Sequence, residues 1–138
     1  MDLQSLSYAV IQVVHNFGAV AVVGSAISAI SALGLGSAGQ GRRLAWINLL
    51  GWVAQGISGG AFGAVSWFYY GRFPDIHGIA MGALLIKLAC AAAGFMLSAM
   101  YLYSGKQWCE GSRQLIWKLL AVLAIVALTA AAFLRWFS

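Results

Sequence analysis

Two basic side chains lie deep inside apolar stretches of this 138-residue chain, at Lys87 and His15. Lys87 comes thirteen residues into its predicted helix, and a rise of about 1.5 Å per residue puts it roughly 20 Å from the helix start. By the same rise His15 lies about 13 Å into an earlier helix. An ionisable group at such a depth in a membrane is costly unless it is paired, neutral or hydrated, and it is a functional candidate by default. Lys87 and His15 are therefore the first candidates for chemistry.

His15 suits either of two roles. Gln12 and Gly18 lie on its helix face, three residues to either side. A glycine lets a planar group approach the backbone closely, and neutral imidazole is a common haem ligand. The alternative is a histidine that is hydrogen-bonded to a polar residue of the second predicted helix. The candidates for that partner are Asn48, Gln55 and Ser58.

His77, the other histidine, lies near the start of the third predicted helix. His15 and His77 could ligate one haem or metal ion together, although the predicted boundaries separate them by about 9 Å in depth. His77 and Met81 share a helix face, and this pair would suit a soft copper site. Nucleophile–base arrangements, carboxylate pairs and phosphate-binding loops are not recognisable. The acids all lie outside the predicted membrane core: Asp2, Asp75 and Glu110.

The composition indicates what must position these residues. Hydrophobic residues make up 62% of the chain and charged residues only 8%, whereas a soluble domain carries roughly a quarter charged residues. A soluble enzyme and a disordered tail are thereby excluded. The net charge of +5 forms no continuous basic patch interleaved with aromatics, so no nucleic-acid partner is expected. We predict an all-α, polytopic membrane protein whose main partner is the lipid bilayer.

Four apolar stretches are each long enough to span a bilayer as a helix. Short connections between them predict an up-down-up-down bundle in a single domain of residues 1–138. Pro74 and Asp75 are typical of a helix start. The predicted helices cover residues 6–34, 44–70, 74–103 and 114–137.

The basic residues predict the orientation of the bundle. Five lie in or beside the first and third loops, and only two lie at the other side. Because cytoplasmic loops are enriched in Lys and Arg, both termini are expected on the non-cytoplasmic side, in a bacterial inner membrane. The five are Arg42, Arg43, Lys106, Arg113 and Lys118, and the two are Arg72 and Arg135.

Small residues are dense on the second and third predicted helices. They allow close approach of helices, since lipid supplies no hydrophobic force between them. We expect them to pack within the bundle, and the alternatives are another membrane subunit, a second copy of the chain or a flat cofactor. The candidate packing residues are Gly56, Gly59, Gly60, Gly63, Ala83 and Gly94.

Two segments carry a family resemblance, VVHNFGAVAVVGSA around His15 and ALLIKLACAAAGFML around Lys87. They resemble the CopD-type copper-resistance membrane domain and the small four-helix proteins of the HemJ-type protoporphyrinogen oxidase group. The matching positions are His15, Gly18, Leu85, Lys87 and Leu88. The resemblance implies a haem b or porphyrin site for the oxidase group, and copper handling for the other.

Three functions follow as hypotheses. The first is a haem-binding, electron-transfer protein in which His15 ligates iron, Lys87 meets a propionate or a substrate carboxylate, and Gly18 admits the ring. The second is a cofactor-free accessory or assembly subunit of a larger membrane complex. The third is a copper or small-solute permease that uses a polar stripe, made of Gln12, His15, Asn48, Gln55 and Lys87.

Overall fold

The computed structural model describes residues 2–34 and 38–137, and this part of the chain is 92% helix and contains no strand. The first predicted loop, residues 35–43, lies partly outside the described residues, at 35–37. A short 3₁₀ turn, Gly105–Gln107, joins the last two helices. The four long helices are α1 (Leu3–Gly34), α2 (Ala38–Tyr70), α3 (Gly78–Ser104) and α4 (Glu110–Phe137).

The third helix begins at Gly78 rather than at the predicted Pro74. Gly71 and Gly78 have φ values of 63° and 54°, a region that glycine adopts without steric cost. They bracket a loop that folds back on α2, since the Ser66 hydroxyl donates to the Arg72 carbonyl at 3.1 Å. Pro74 and Asp75 lie within this loop. By contrast, the second and fourth helices begin earlier than predicted, at Ala38 and Glu110.

Side-chain contacts show how α1 and α2 pair. His15 of α1 contacts Ser58 of α2, and Ser25, farther along α1, accepts a hydrogen bond from Asn48, which comes earlier in α2. Residue numbers rise on one helix as they fall on the other, so α1 and α2 are antiparallel. α1 packs most extensively on α2, and α3 packs most extensively on α4.

Small side chains fill the interior while large apolar side chains cover the outside. Ala26 and Ala80 are fully buried, whereas Phe17 and Ile57 are 72% and 68% exposed. A water-soluble protein does not expose apolar side chains over so much of its surface. By length and composition, α1, α3 and α4 can each cross a membrane. α2 is not among these helices, because it carries polar residues that face its neighbours.

The packing is uneven along the bundle. Val22, Trp52 and Trp117 are buried within two core clusters, and we call the part that contains them the closed half. The open half is the other end, which contains residues 3–17 of α1. None of the residues 3–17 is buried, and Gly18 is the first buried residue of that helix. His15 and Lys87 therefore lie close to the boundary between the two halves.

Candidate functional site

Lys87, His15 and Ser58 form a hydrogen-bonded chain that joins three helices. The Lys87 Nζ atom lies 2.8 Å from His15 Nε2, and His15 Nδ1 lies 2.7 Å from the Ser58 Oγ atom. Both distances are those of strong hydrogen bonds. The structure thus brings together the two residues, one on α1 and one on α3, that the sequence singles out. Ser58 supplies the third contact from α2, and it is one of the three polar partners considered for His15.

The donors and acceptors along this chain set the tautomer of His15. An ammonium group has no acceptor, so a charged Lys87 donates to His15 Nε2, and Nδ1 must then carry the ring hydrogen. Nδ1–H donates to the Ser58 hydroxyl, which in turn donates to the Ala54 carbonyl at 2.5 Å. A neutral Lys87 amine can instead accept from His15: Nε2 then carries the hydrogen, and the Ser58 hydroxyl donates to Nδ1 in place of the Ala54 carbonyl. The chain therefore accommodates a proton at the lysine and transmits the change to His15.

Lys87 has no acidic partner in the described part of the chain. Asp75, the acid that precedes α3, contacts His77 at 2.6 Å, and both side chains are more than 80% exposed. A buried or half-buried ammonium without a counter-ion is expensive, since the desolvation of the charge is not repaid. The site thus carries one unbalanced positive charge when Lys87 is protonated, and it would be stabilised by an anion.

The walls of the site come from α1 and α2. Gln55 donates a hydrogen bond to the His15 backbone carbonyl, which fixes α1 against α2 at this level. The Phe62 ring meets His15 edge-on at 5.9 Å between ring centroids. Tyr8 stacks on the Phe62 ring at 6.2 Å between ring centroids. Two aromatic rings therefore cover His15 on the side of the open half.

A second polar network lies in the closed half and holds α1, α2 and α3 together. The Asn48 amide donates to the Val22 carbonyl at 2.9 Å and to the Ser25 hydroxyl at 2.8 Å. Its Oδ1 atom accepts from Trp52 Nε1 and from the Ser98 hydroxyl, each at 2.9 Å. Asn48 is fully buried and uses its whole hydrogen-bonding capacity. This network fixes the helix spacing on which the Lys87–His15 contact depends.

Two of the predicted packing residues, Gly94 and Ala83, are buried in the bundle. Gly94 is buried, and a Cβ added there would overlap the Trp52 indole. Ala83 is also buried, at 6% exposure. Gly94 therefore gives Trp52 the room to reach Asn48.

The glycines of α2 have different surroundings. Gly56, Gly59 and Gly60 are exposed, and a Cβ at any of them would meet nothing within 4 Å. A Cβ at Gly63 would only touch the Phe73 ring, at 3.7 Å. The expectation that these residues pack within the bundle is wrong for Gly56, Gly59 and Gly60, because their face of α2 points away from α1 and α3.

The arrangement around His15 does not suit a haem. Both ring nitrogens are engaged, by Lys87 and by Ser58, so iron ligation would require that one of these bonds be given up. Gly18 is buried, and a Cβ there would lie 3.1 Å from both Ala54 and Gln55. The space that a porphyrin ring would need beside Gly18 is thus filled by α2. Haem ligation by His15 stays a prediction.

His15 and His77 are far apart along the bundle. His15 is level with Lys87, and His77 precedes Lys87 by ten residues, which is about 15 Å of helix. His77 contacts Asp75, and Met81 lies one turn further along α3. Within the described residues, no group of three or more His, Cys, Asp or Glu side chains is arranged to hold a metal ion. A shared His15–His77 site would require a large rearrangement.

Sequence reasoning missed the aromatic members of the site. Phe62 follows Ser58 by one helical turn, so the two share a face, but an aromatic residue in an apolar helix carries no signal of its own. Trp52 has the same relation to Asn48 and was also missed. Gln12, a member of the predicted polar stripe, donates to Asn16 of its own helix at 2.8 Å.

A comparison of the chain with protein families, with curated proteins and with solved structures finds no match. The resemblance to the CopD-type and HemJ-type families therefore rests on the two quoted segments alone. The functional conclusion has to come from the geometry around Lys87 and His15.

Proposed function

We propose that the chain is a small integral membrane protein whose four helices cross the bilayer up and down. The large apolar side chains on its outside support this, since lipid is the solvent that suits them. α2 is the least apolar of the four helices, but its buried Asn48 and Ser58 donate or accept hydrogen bonds within the bundle. A polar group that is satisfied by neighbouring helices can cross a membrane at modest cost.

We propose further that the Lys87–His15–Ser58 chain binds the acidic group of a solute or lipid inside the membrane. The observation that carries this proposal is the 2.8 Å contact between Lys87 Nζ and His15 Nε2 in surroundings without a carboxylate. A carboxylate or similar anion would accept a charge-assisted hydrogen bond from the ammonium. It would also supply the missing counter-charge.

Binding of an anion at this site is linked to a proton. An anion favours the ammonium form of Lys87 over the neutral amine, because only the ammonium offers a full opposite charge. Where Lys87 is neutral before binding, an anion therefore enters together with a proton, and the pair reaches the site without net charge. His15 responds through its tautomer, since its Nε2 atom must then accept the hydrogen bond.

Titration with decanoate in a non-ionic detergent tests this proposal. Decanol and decyltrimethylammonium supply the neutral and cationic controls with the same alkyl chain, and the ring nitrogens of ¹⁵N-labelled His15 report on the site. We expect saturable shifts with decanoate alone. Lys87→Met should weaken binding about tenfold or more, the equivalent of one charge-assisted hydrogen bond.

Lys118→Met is the matched control, since Lys118 is an exposed lysine of α4, and its titration should equal that of the wild type. Equal binding of decanoate to the Lys87→Met variant, or equal binding of decanol and decanoate, would contradict the proposal. A Soret band in protein that is purified with ample haem, and that is lost in His15→Ala, would favour the haem hypothesis instead.

A second candidate function is that of a subunit in a larger membrane assembly. It is favoured by the open space beside Gly56, Gly59 and Gly60, since glycines on a lipid-facing surface leave a groove for another helix. Gly59→Leu and Gly60→Leu should then reduce the molecular mass of the purified complex without unfolding the chain. An unchanged mass, equal to that of a monomer in both the wild type and the variants, would count against this candidate.

A further inference from the structure

We infer that the Lys87–His15–Ser58 chain is reached from the open half of the bundle only, and that Phe62 controls this access. The inference rests on the proposed function for the identity of what binds. The route itself follows from the packing on the two sides of the site.

On the side of the closed half, the core leaves no passage. The Asn48 side chain is fully buried with four hydrogen bonds to its neighbours, including Trp52 and Ser98. The Trp52 ring fills the space beside Gly94, and a Cβ at Gly51 would lie only 2.7 Å from the Val22 side chain. A solute that continued past Lys87 in this direction would have to break the Asn48 network. Passage through the whole bundle is therefore blocked at this level.

On the side of the open half, the packing of α1 is loose, while Ala80 and Ala83 of α3 stay buried there. Residues 3–17 of α1 contain no buried residue, and the polar contact between this stretch and α2 lies at the surface, where Gln4 donates to the Tyr70 hydroxyl at 2.6 Å. Between the level of that surface contact and His15, the Tyr8 and Phe62 rings stack on each other. Aromatic side chains of α1 and α2 thus lie between His15 and this end of the bundle.

Phe62 touches both the site and the route. It follows Ser58 by one turn of α2, meets the His15 ring edge-on and stacks on Tyr8. A change of the Phe62 rotamer would uncover His15 without any movement of the helices. Side chains of this kind change rotamer far faster than helices rearrange. Phe62 is therefore a gating residue and makes no hydrogen bond to the ligand.

One-sided access distinguishes between the functions. A permease must open its site to both faces of the membrane in turn, and here the second opening would disrupt a fully satisfied buried network. A site that is open to one face binds or releases its ligand at that face. The structure therefore favours a protein that takes up an acidic ligand from the side of His77 and the α2–α3 loop.

Cysteine accessibility tests the route without any ligand. In a background with Cys90→Ala and Cys109→Ser, Ser58→Cys reports on the site, and Ser98→Cys reports on the closed half. A permanently charged methanethiosulfonate is applied to each face of oriented vesicles. His77→Cys and the native Cys109 in a Cys90→Ala background identify the two faces. We expect Ser58→Cys to react only from the His77 face and Ser98→Cys to react from neither.

Phe62→Ala should raise the reaction rate of Ser58→Cys about fivefold, the rate equivalent of losing one aromatic contact. His15→Cys provides a second reporter if the serine variant does not fold. Reaction from the Cys109 face, from both faces or from neither would overturn the inference, as would an unchanged rate in Phe62→Ala. Failure of decanoate binding with one-sided labelling intact would overturn only the proposed ligand.

Discussion

Replacement of Asn48 by Ala should destabilise the protein more than any exposed polar substitution. In the wild type the Asn48 side chain makes four buried hydrogen bonds. Two of its partners keep a second bond after the change, since Ser25 also donates to the Ala21 carbonyl and Ser98 to the Gly94 carbonyl. Trp52 Nε1 has no other hydrogen bond among the described residues, so the indole N–H is left buried and unpaired.

The size of the effect follows from these contacts. An unpaired buried donor costs about 1–3 kcal/mol, and the cavity that the smaller side chain leaves adds about 0.7 kcal/mol for roughly 30 Å³. Interhelical hydrogen bonds in membranes average about 0.6 kcal/mol, which favours the lower part of this range. We therefore expect Asn48→Ala to lower the free energy of unfolding by about 2–3 kcal/mol. In the Asn48→Ala variant the Trp52 N–H is already unpaired, and Trp52→Phe removes it. Trp52→Phe should therefore lower the free energy of unfolding by about 1 kcal/mol less in that variant than in the wild type.

Reversible unfolding in mixed micelles of rising SDS content, followed by tryptophan fluorescence and circular dichroism, measures these values. Asn16→Ala is the matched control, because Asn16 is exposed and accepts only from Gln12 of its own helix. It should change the free energy of unfolding by less than about 0.5 kcal/mol. Equal stabilities for Asn48→Ala and Asn16→Ala would refute the assignment of Asn48 as the residue that holds three helices together.

Two further predictions concern other parts of the chain. Gly94→Ala should lower the free energy of unfolding by about 1–3 kcal/mol, because the added methyl group overpacks against Trp52. Gly59→Ala should be neutral or slightly stabilising in the isolated chain. If SDS unfolding ranks the two variants in the opposite order, the described surroundings of Gly94 and Gly59 are wrong. The Ser112 hydroxyl holds the pKa of the exposed Cys109 thiol below its usual value, so more thiolate is present at neutral pH. Ser112→Ala should therefore slow maleimide labelling of Cys109 near pH 7 and have no effect well above the thiol pKa, and equal rates at neutral pH would show that the hydrogen bond is absent.

The helical nature of the chain and the similar depth of its two central basic residues follow from simple patterns. Long apolar stretches interrupted by polar loops indicate helices, and the up-down-up-down prediction puts Lys87 and His15 at similar depth in two helices expected to run in the same direction. The register could not be predicted more finely than about one turn, because the helix starts at Gly78 and Glu110 depend on loop contacts made in the folded chain.

The supporting contacts of the site were harder to predict. Which of Asn48, Gln55 and Ser58 faces His15 depends on the rotation of α2, which is set by its packing against α1 and α3. Phe62 and Trp52 carry no polar pattern that separates them from aromatics that face lipid. The glycines of α2 were recognisable, but their partner was not, since GxxxG spacing identifies a close-packing surface without identifying what packs on it.

The hydrogen-bonded pair of Lys87 and His15 is tested most directly by the ¹⁵N spectrum of the histidine ring. In a His77→Gln variant His15 is the single histidine, and its two ring nitrogens report the tautomer and the hydrogen bond at each. We predict that Lys87→Met moves the Nε2 signal of His15 while Lys118→Met leaves it unchanged. Identical spectra for the wild type and Lys87→Met would contradict the contact between Lys87 and His15, and with it the proposed site.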